Sequence, residues 1–281
     1  MVLNKQTRVF FDIVLYVVMF FVIQYMMLVG VSGANAWHNG ISWAEFSSHV
    51  YHGAIGVGGK LLVAVSALSS IVTIIVFVYA RWARLTRAWL SMRPWTVLVW
   101  VACLALGSIL PSQWLQEQMN LTVPESAMRT FESIMSEPVG YMAIGVLAPL
   151  AEEVVFRGAI LGNLLHVFTG RMHWIAIAIS ALIFGAVHGN EAQFAHAMII
   201  GLLLGWMYYR TNSIIPGVVF HWINNTVAYL MFNLLPSSAD GQLIDLFHGD
   251  SRTMWLGLLF SVCIIVPSLY QLALRLKRSQ G

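Results

Sequence analysis

Long apolar runs, separated by short polar or charged breaks, occupy most of the chain. A helix needs about 20 apolar residues to cross the hydrocarbon core of a bilayer, and many of these runs have that length. Counting the runs between breaks rich in charge, glycine or proline predicts spans at 9-30, 57-80, 95-111, 138-165, 173-189, 193-209, 214-235 and 253-274. The pattern therefore predicts an all-α, polytopic membrane protein of about eight transmembrane helices.

The composition supports a membrane protein. Of the 281 residues, 59% are hydrophobic and only 10% are charged, whereas roughly a quarter of the residues in a soluble domain are charged. The net charge of +3 is small, and the arginines lie in short clusters between apolar runs. This distribution does not resemble the basic surface of a nucleic-acid-binding protein. We therefore expect the chain to lie in a lipid bilayer and to bind no nucleic acid.

The basic residues predict the orientation. If successive spans alternate in direction, most basic residues fall on one side: Lys5, Arg8, Arg81, Arg84, Arg87, Arg93, Arg171, Arg210, Arg275, Lys277 and Arg278. By the positive-inside rule, this side and both termini are cytoplasmic. The segment from Ser112 to Glu137 is then predicted to lie on the outer side, as an interfacial helix.

The fourth apolar run contains three ionisable side chains, Glu152, Glu153 and Arg157. Each costs about 2.5 to 3.5 kcal/mol at the centre of a bilayer, so such residues are seldom there only to pack. A spacing of four places Glu153 and Arg157 on one helix face, where they can form an ion pair. A structural salt bridge would explain that pair. It would not explain Glu152, because one arginine neutralises only one of the two acids.

Two further runs each carry a histidine paired with another residue at helical spacing. Phe184 precedes His188 by four residues, and His221 precedes Asn225 by four. A single histidine near a helix end is more often structural than catalytic. Together with Glu152, however, these residues supply a carboxylate, two imidazoles and an amide, which are the groups that a hydrolytic site needs.

The ordered set of motifs resembles the family of CAAX prenyl proteases and bacteriocin-processing enzymes, the intramembrane peptidases of the CAAX type II endopeptidase class. The family motifs are Glu-Glu-x-x-x-Arg, Phe-x-x-x-His and His-x-x-x-Asn, and here they read Glu152-Glu153 with Arg157, Phe184 with His188, and His221 with Asn225. The resemblance covers roughly 138-235. It predicts a catalytic core there, after N-terminal helices and an outer-side segment in 1-137 and before a loop and last helix in 236-281.

The resemblance implies an endopeptidase that cleaves a peptide or protein at the membrane of a bacterial cell. Glu152, with His188, is expected to activate a water molecule that attacks the peptide carbonyl. His221 and Asn225 are expected to stabilise the resulting oxyanion, since imidazole and amide donors favour the developing negative charge.

The remaining motif residues, Glu153, Arg157 and Phe184, are expected to support the catalytic groups. No cofactor is expected. Two histidines and a glutamate would suit zinc, but the close-spaced His-Glu-x-x-His pattern of soluble zinc peptidases is absent. We expect a glutamate mechanism without metal, and a divalent metal such as zinc is the alternative.

Two other functions fit the same residues. A membrane protein of this fold could act in immunity or scaffolding without catalysis. A proton-coupled transporter would also contain buried Glu, Arg and His, although such carriers commonly show repeats of broken helices and the two halves of this chain show no clear repeat.

The predicted spans leave one difficulty. His188 falls near the outer end of its span, whereas His221 falls about two turns from the inner end of its own. Straight helices of equal length would keep the two imidazoles apart. We predict tilted or broken helices around a water-filled cavity, with breaks at Pro149 and Pro216.

Overall fold

The computed structural model describes residues 4–52, 57–83, 85–86, 88–235 and 242–277. Within these ranges the regular structure is entirely helical, which confirms the all-α class. The helices are α1 (Lys5–His38), α2 (Trp43–Tyr51), α3 (Gly59–Tyr79), α4 (Ala88–Ser91), α5 (Trp95–Gln118), α6 (Glu125–Met135), α7 (141–167), α8 (His173–Ala186), α9 (Glu191–Thr211), α10 (Ile215–Leu234) and α11 (Ser251–Arg275). Short 3₁₀ helices lie at Gly170–Met172 and Leu243–Phe247. Of the basic residues that predict the orientation, Arg84, Arg87 and Arg278 lie outside the described residues.

Four helices, α1, α3, α5 and α11, are long and apolar enough to cross a membrane. The other predicted spans coincide with α7, α8, α9 and α10, which carry or adjoin the three motifs. The chain is thus a helical integral membrane protein, and the count of eight spans stays a prediction.

Helix α7 changes its backbone register three times. Its consecutive segments are a π-helix at Tyr141–Leu147, an α-helix at Ala148–Glu152, a π-helix at Glu153–Leu161 and an α-helix at Gly162–Val167. π-Helical turns are rare overall but frequent at functional sites. Every residue of the second π segment is buried. Helix α7 is therefore the central helix of the fold, and its unusual backbone carries the first motif.

Neither Pro149 nor Pro216 breaks a helix as predicted. Pro149 lies at the start of the short α-helical segment between the π segments, so it marks a change of register within a continuous helix. Pro216 lies in the first turn of α10, where the missing N–H of a proline is tolerated, so it begins the helix instead of breaking it.

The predicted end of the third span at residue 111 is wrong. Helix α5 continues to Gln118 with Pro111 inside it. The extra turns are held by packing at the helix end, where the Trp114 ring lies 5.8 Å from the Trp255 ring of α11. The segment predicted to lie outside the span therefore begins later, and only its second part forms a separate helix, α6.

Candidate active site

A fully buried ion pair lies at the centre of the site. Arg157 Nη1 donates to Glu153 Oε1 over 2.6 Å, and the two side chains are 1% and 0% exposed. The predicted pairing is therefore present. Because a buried charge is costly without a partner, the pair holds both side chains in fixed positions within α7.

Gly217 of α10 makes room for this pair. A Cβ at residue 217 would collide with Glu153 Oε2. Helices α7 and α10 thus approach each other closely at the Glu153 carboxylate. Residue 217 must be glycine because this close approach leaves no room for a side chain.

Replacing Gly217 by alanine is expected to lower the stability of the protein by about 1 to 3 kcal/mol, the usual cost of overpacking a core. The thermal unfolding temperature in detergent measures this change. Gly30, a helical glycine at which an added Cβ would meet no atom within 4 Å, is the matched control. Its replacement by alanine should leave stability unchanged or raise it, and an equal loss at both sites would contradict the steric explanation.

Phe184 joins the three motifs. The Arg157 guanidinium carbon lies 4.3 Å from the centre of the Phe184 ring, in a cation–π arrangement. The imidazoles of His188 and His221 both lie edge-on to that ring, with centroids 5.2 and 6.0 Å away. The buried phenylalanine therefore places the side chains of three helical segments around one centre.

His221 lies between the two glutamates. Its Nε2 is 3.7 Å from Glu152 Oε2, and its Nδ1 is 3.7 Å from Glu153 Oε1. Both distances exceed that of a hydrogen bond. The Glu152 side chain is 23% exposed, in contrast to the fully buried Glu153. Of the two adjacent acids, Glu152 is thus the one that solvent or substrate can reach.

His188 has a defined tautomer in its neutral form. Its Nδ1 lies 2.8 Å from the carbonyl oxygen of Phe184. Because a carbonyl can only accept, Nδ1 carries the proton, and Nε2 of the neutral ring is an acceptor. In the described residues no ion-pair contact joins His188 to either glutamate. His188 therefore belongs to the rim of the site, beside Phe184.

The length of α8 explains how the two histidines meet. This helix has 14 residues and rises about 21 Å, less than the roughly 30 Å of a hydrocarbon core. His188 follows its C-terminal end, so the chain turns back toward α9 before completing a full span. Both imidazoles lie against the Phe184 ring, so the two histidines are closer together than straight helices of equal length would place them.

Asn225 is bound to α7. Its Nδ2 donates to the carbonyl oxygen of Ile144 over 2.8 Å. An asparagine amide has two N–H donors, and the second has no protein acceptor among the described residues. Asn225 also lines a cavity of about 560 Å³ between α5, α6, α9 and α10. One donor is therefore held by backbone while the other is available at the cavity.

The described lining of this cavity contains no Asp, Glu, Lys or Arg. Besides apolar side chains it includes His196 together with Gln113 and Gln116. His196 is close enough to His188 and His221 to interact electrostatically with both. His196 lies outside the three motifs. No spacing on one helix identifies it, because the cavity is assembled from several helices.

The described residues contain no group of three or more His, Cys, Asp or Glu side chains arranged to hold a metal ion. The two motif histidines lie edge-on to Phe184, and the two glutamates lie 3.7 Å from the two ring nitrogens of His221.

Comparison with known proteins supports the resemblance. Residues 135–227 match the family model described as "Type II CAAX prenyl endopeptidase Rce1-like". The chain is 26% identical over 107 residues to the "Putative membrane peptidase YdiL" of Bacillus subtilis (strain 168), a match that covers 38% of this chain and 43% of that protein. It is 27% identical over 100 residues to the "UPF0177 protein YxdF" of Lactococcus lactis subsp. lactis (strain IL1403), a match that covers 33% of this chain and 53% of that protein.

The chain thus spans about half the length of the curated relatives it matches. No solved structure matches it. The matched segment contains all three motifs, from Glu152 to Asn225. Residues 135–227 of this chain thus match the model of the Rce1-like type II CAAX prenyl endopeptidase family, the family that the motifs predicted.

Proposed function

We propose that this protein is an intramembrane endopeptidase that hydrolyses a peptide bond with a water molecule activated by Glu152 and His188. The observation that carries the proposal is the grouping of the three motifs around Phe184, next to a cavity lined by uncharged side chains. A polar catalytic group beside an uncharged cavity suits a substrate segment that lies within or against the bilayer.

Glu152 is the proposed general base. A carboxylate oxygen accepts a proton from water, and the resulting hydroxide attacks the carbonyl carbon of the peptide bond. The Glu152 side chain is 23% exposed, so a water molecule can reach its carboxylate. When the C–N bond breaks, the proton held by Glu152 passes to the leaving amine. The complete cycle returns the protein to its initial protonation state.

His188 is proposed to assist this water. With Nδ1 bonded to the Phe184 carbonyl, Nε2 of the neutral ring can accept a hydrogen bond. That bond would orient the water and strengthen it as a nucleophile. The edge-on contact with Phe184 holds the imidazole plane.

Asn225 and His221 are proposed to stabilise the oxyanion. The second Nδ2–H of Asn225 is a donor at the cavity, and a donor fixed before the reaction stabilises developing charge without reorganisation. An imidazole N–H of His221 would provide the second donor. Glu153, Arg157 and Phe184 would hold these groups in place.

The proposed mechanism uses no metal, which makes metal removal informative. Treatment of the purified protein with a zinc chelator is expected to leave the cleavage rate unchanged. The rate is measured before treatment, after treatment and after zinc is restored. A loss that zinc reverses would replace the glutamate mechanism by the zinc alternative.

The experiment that tests the function is a comparison of newly formed peptide termini in membranes of cells that express the wild-type protein or Glu152→Ala. The proposal predicts cleaved products that appear only with the wild type. Equal termini in both samples would contradict a peptidase. Full biological function of Glu152→Ala would favour an immunity or scaffolding protein, and solute uptake by reconstituted vesicles without cleavage would favour a transporter.

We also propose that the protein lies in a bacterial cytoplasmic membrane with both termini in the cytoplasm. The basic residues on one side of the predicted spans support this orientation. Its substrate would be a peptide or protein at the membrane.

A further inference from the structure

Helix α7 contains a backbone carbonyl that has no donor in register within its own helix. The N–H of Ala148 donates to the carbonyl of Ala143, five residues back, which is the π-helical register. In that register the next carbonyl, Ile144, would accept from the N–H of residue 149. Residue 149 is a proline, which has no N–H. The carbonyl of Ile144 is therefore left for another donor.

The donor that takes this carbonyl comes from a different helix. Asn225 of α10 donates to Ile144 through Nδ2 over 2.8 Å. From this geometry we propose that Pro149 is a positioning residue: its missing N–H reserves the Ile144 carbonyl for Asn225 and thereby orients the oxyanion donor. The inference rests on the proposed function only for the consequence of this orientation, since the hydrogen bond itself is independent of any reaction.

The hydrogen bond from Asn225 to Ile144 orients the side-chain amide of Asn225 and also joins α10 to α7. Helices α7 and α10 are also joined by the Tyr141 hydroxyl, which accepts from Trp222 Nε1 over 2.9 Å and lies 3.1 Å from Thr226 Oγ1. Those contacts hold α10 against α7 at one position along the pair. The contact of Asn225 differs because its side chain lines the cavity. With one N–H of its planar amide bonded to Ile144, the direction of the other N–H is set.

An N–H at residue 149 would compete with Asn225. A helix satisfies its carbonyls internally wherever a donor in the same helix is in register, and a donor within α7 needs no side chain to be ordered. The replacement Pro149→Ala should therefore transfer the Ile144 carbonyl to α7 and release the Asn225 amide. A proline that only shapes the helix would instead affect stability and leave the amide of Asn225 where it is.

The test uses the full-length protein in detergent, labelled with ¹⁵N-asparagine. The side-chain amide signals of Asn225 are those lost in Asn225→Ala. We expect these signals to shift in Pro149→Ala and to remain in place in Pro267→Ala. Pro267 is the matched control, because it is an exposed proline inside helix α11. Unchanged Asn225 signals in a folded Pro149→Ala protein would overturn the inference.

A kinetic cycle adds a second readout once a cleaved substrate is known. Pro149→Ala should lower kcat, by up to the ~10²-fold that loss of an oxyanion donor costs, with KM unchanged. In an Asn225→Ala background the same replacement should have no further effect on kcat, because the donor is already absent. Independent, multiplicative losses would contradict the inference.

The two readouts separate the inference from the proposed function. A shift of the Asn225 signals in a protein that cleaves nothing would support the positioning role and contradict the peptidase. Cleavage together with unshifted signals would support the peptidase and contradict the positioning role.

Discussion

Replacing Glu152 by glutamine is expected to abolish peptide cleavage without lowering the thermal unfolding temperature. The Glu152 side chain is partly exposed and makes no hydrogen bond to the described residues, so glutamine of the same size removes the base and little else. Loss of a general base alone lowers rates by about 10² to 10⁴. The rate is measured on the product that terminus profiling identifies, and the unfolding temperature is measured on the same preparation.

The neighbouring residue provides the control. Glu153→Gln makes the same chemical change one position along the chain, but it removes a charge from a fully buried ion pair. It should lower stability, and any loss of activity should follow the loss of folded protein. A Glu152→Gln variant that cleaves at the wild-type rate would show that another group activates the water.

The sequence was sufficient to predict the ion pair within the first motif. Spacing of four on a helix brings side chains together whatever the rest of the fold does, so the pair of Glu153 with Arg157 follows from sequence alone. The cost of charge in a bilayer marks these residues as special. That argument also distinguishes Glu152, since a single arginine leaves one acid without a partner.

The arrangement around Phe184 could not be predicted from spacing. It depends on the short helix α8, which ends before His188 and lets the chain turn back. The predicted span ends at residue 189, only three residues beyond the helix, because His188, Gly189 and Asn190 interrupt the apolar run. Hydropathy therefore places the end of this helix well, but it does not show which side chains of other helices meet there.

The π-helical register of α7 was also beyond prediction. Sequence reasoning treated Pro149 as a place where the helix breaks, because proline removes a hydrogen bond and clashes with the preceding turn. The wider backbone accommodates it within a continuous helix. The carbonyl of Ile144 accepts its hydrogen bond from Asn225, which lies 81 residues away along the chain. A bond between residues so far apart can be recognised only when the positions of both helices are known.

The cavity shows the same limit. Its lining is drawn from helices α5, α6, α9 and α10 and from the 3₁₀ helix Leu243–Phe247. Most of them contribute apolar positions that are ordinary for a membrane helix, together with polar side chains such as Gln113 and Gln116. Helix α9 contributes His196, and its place near His188 and His221 is a property of the packing of α9 against its neighbours. Sequence could therefore propose candidate reacting groups, whereas the space in which a substrate would lie depends on how several helices pack.

Replacing Arg157 by methionine is expected to destabilise the protein by about 3 to 5 kcal/mol, the cost of leaving a buried charge without its partner. The change leaves Glu153 at 0% exposure without its arginine partner. It also removes the guanidinium from the face of Phe184, where a desolvated cation–π contact contributes about 2 kcal/mol. Unfolding in mixed micelles with increasing denaturing detergent measures the loss.

The chain contains a closely matched control for this variant. Arg129 and Glu125 have the same spacing of four and the same 2.6 Å distance, but their side chains are 73% and 79% exposed. Exposed pairs contribute about 0.2 to 1 kcal/mol, so Arg129→Met should change stability little. In the double variant Glu153→Gln with Arg157→Met, the buried charge is gone, and the loss should be smaller than the sum of the two single losses. Equal effects at Arg157 and Arg129 would mean that burial does not strengthen the pair, and that the first motif is not held by its charges.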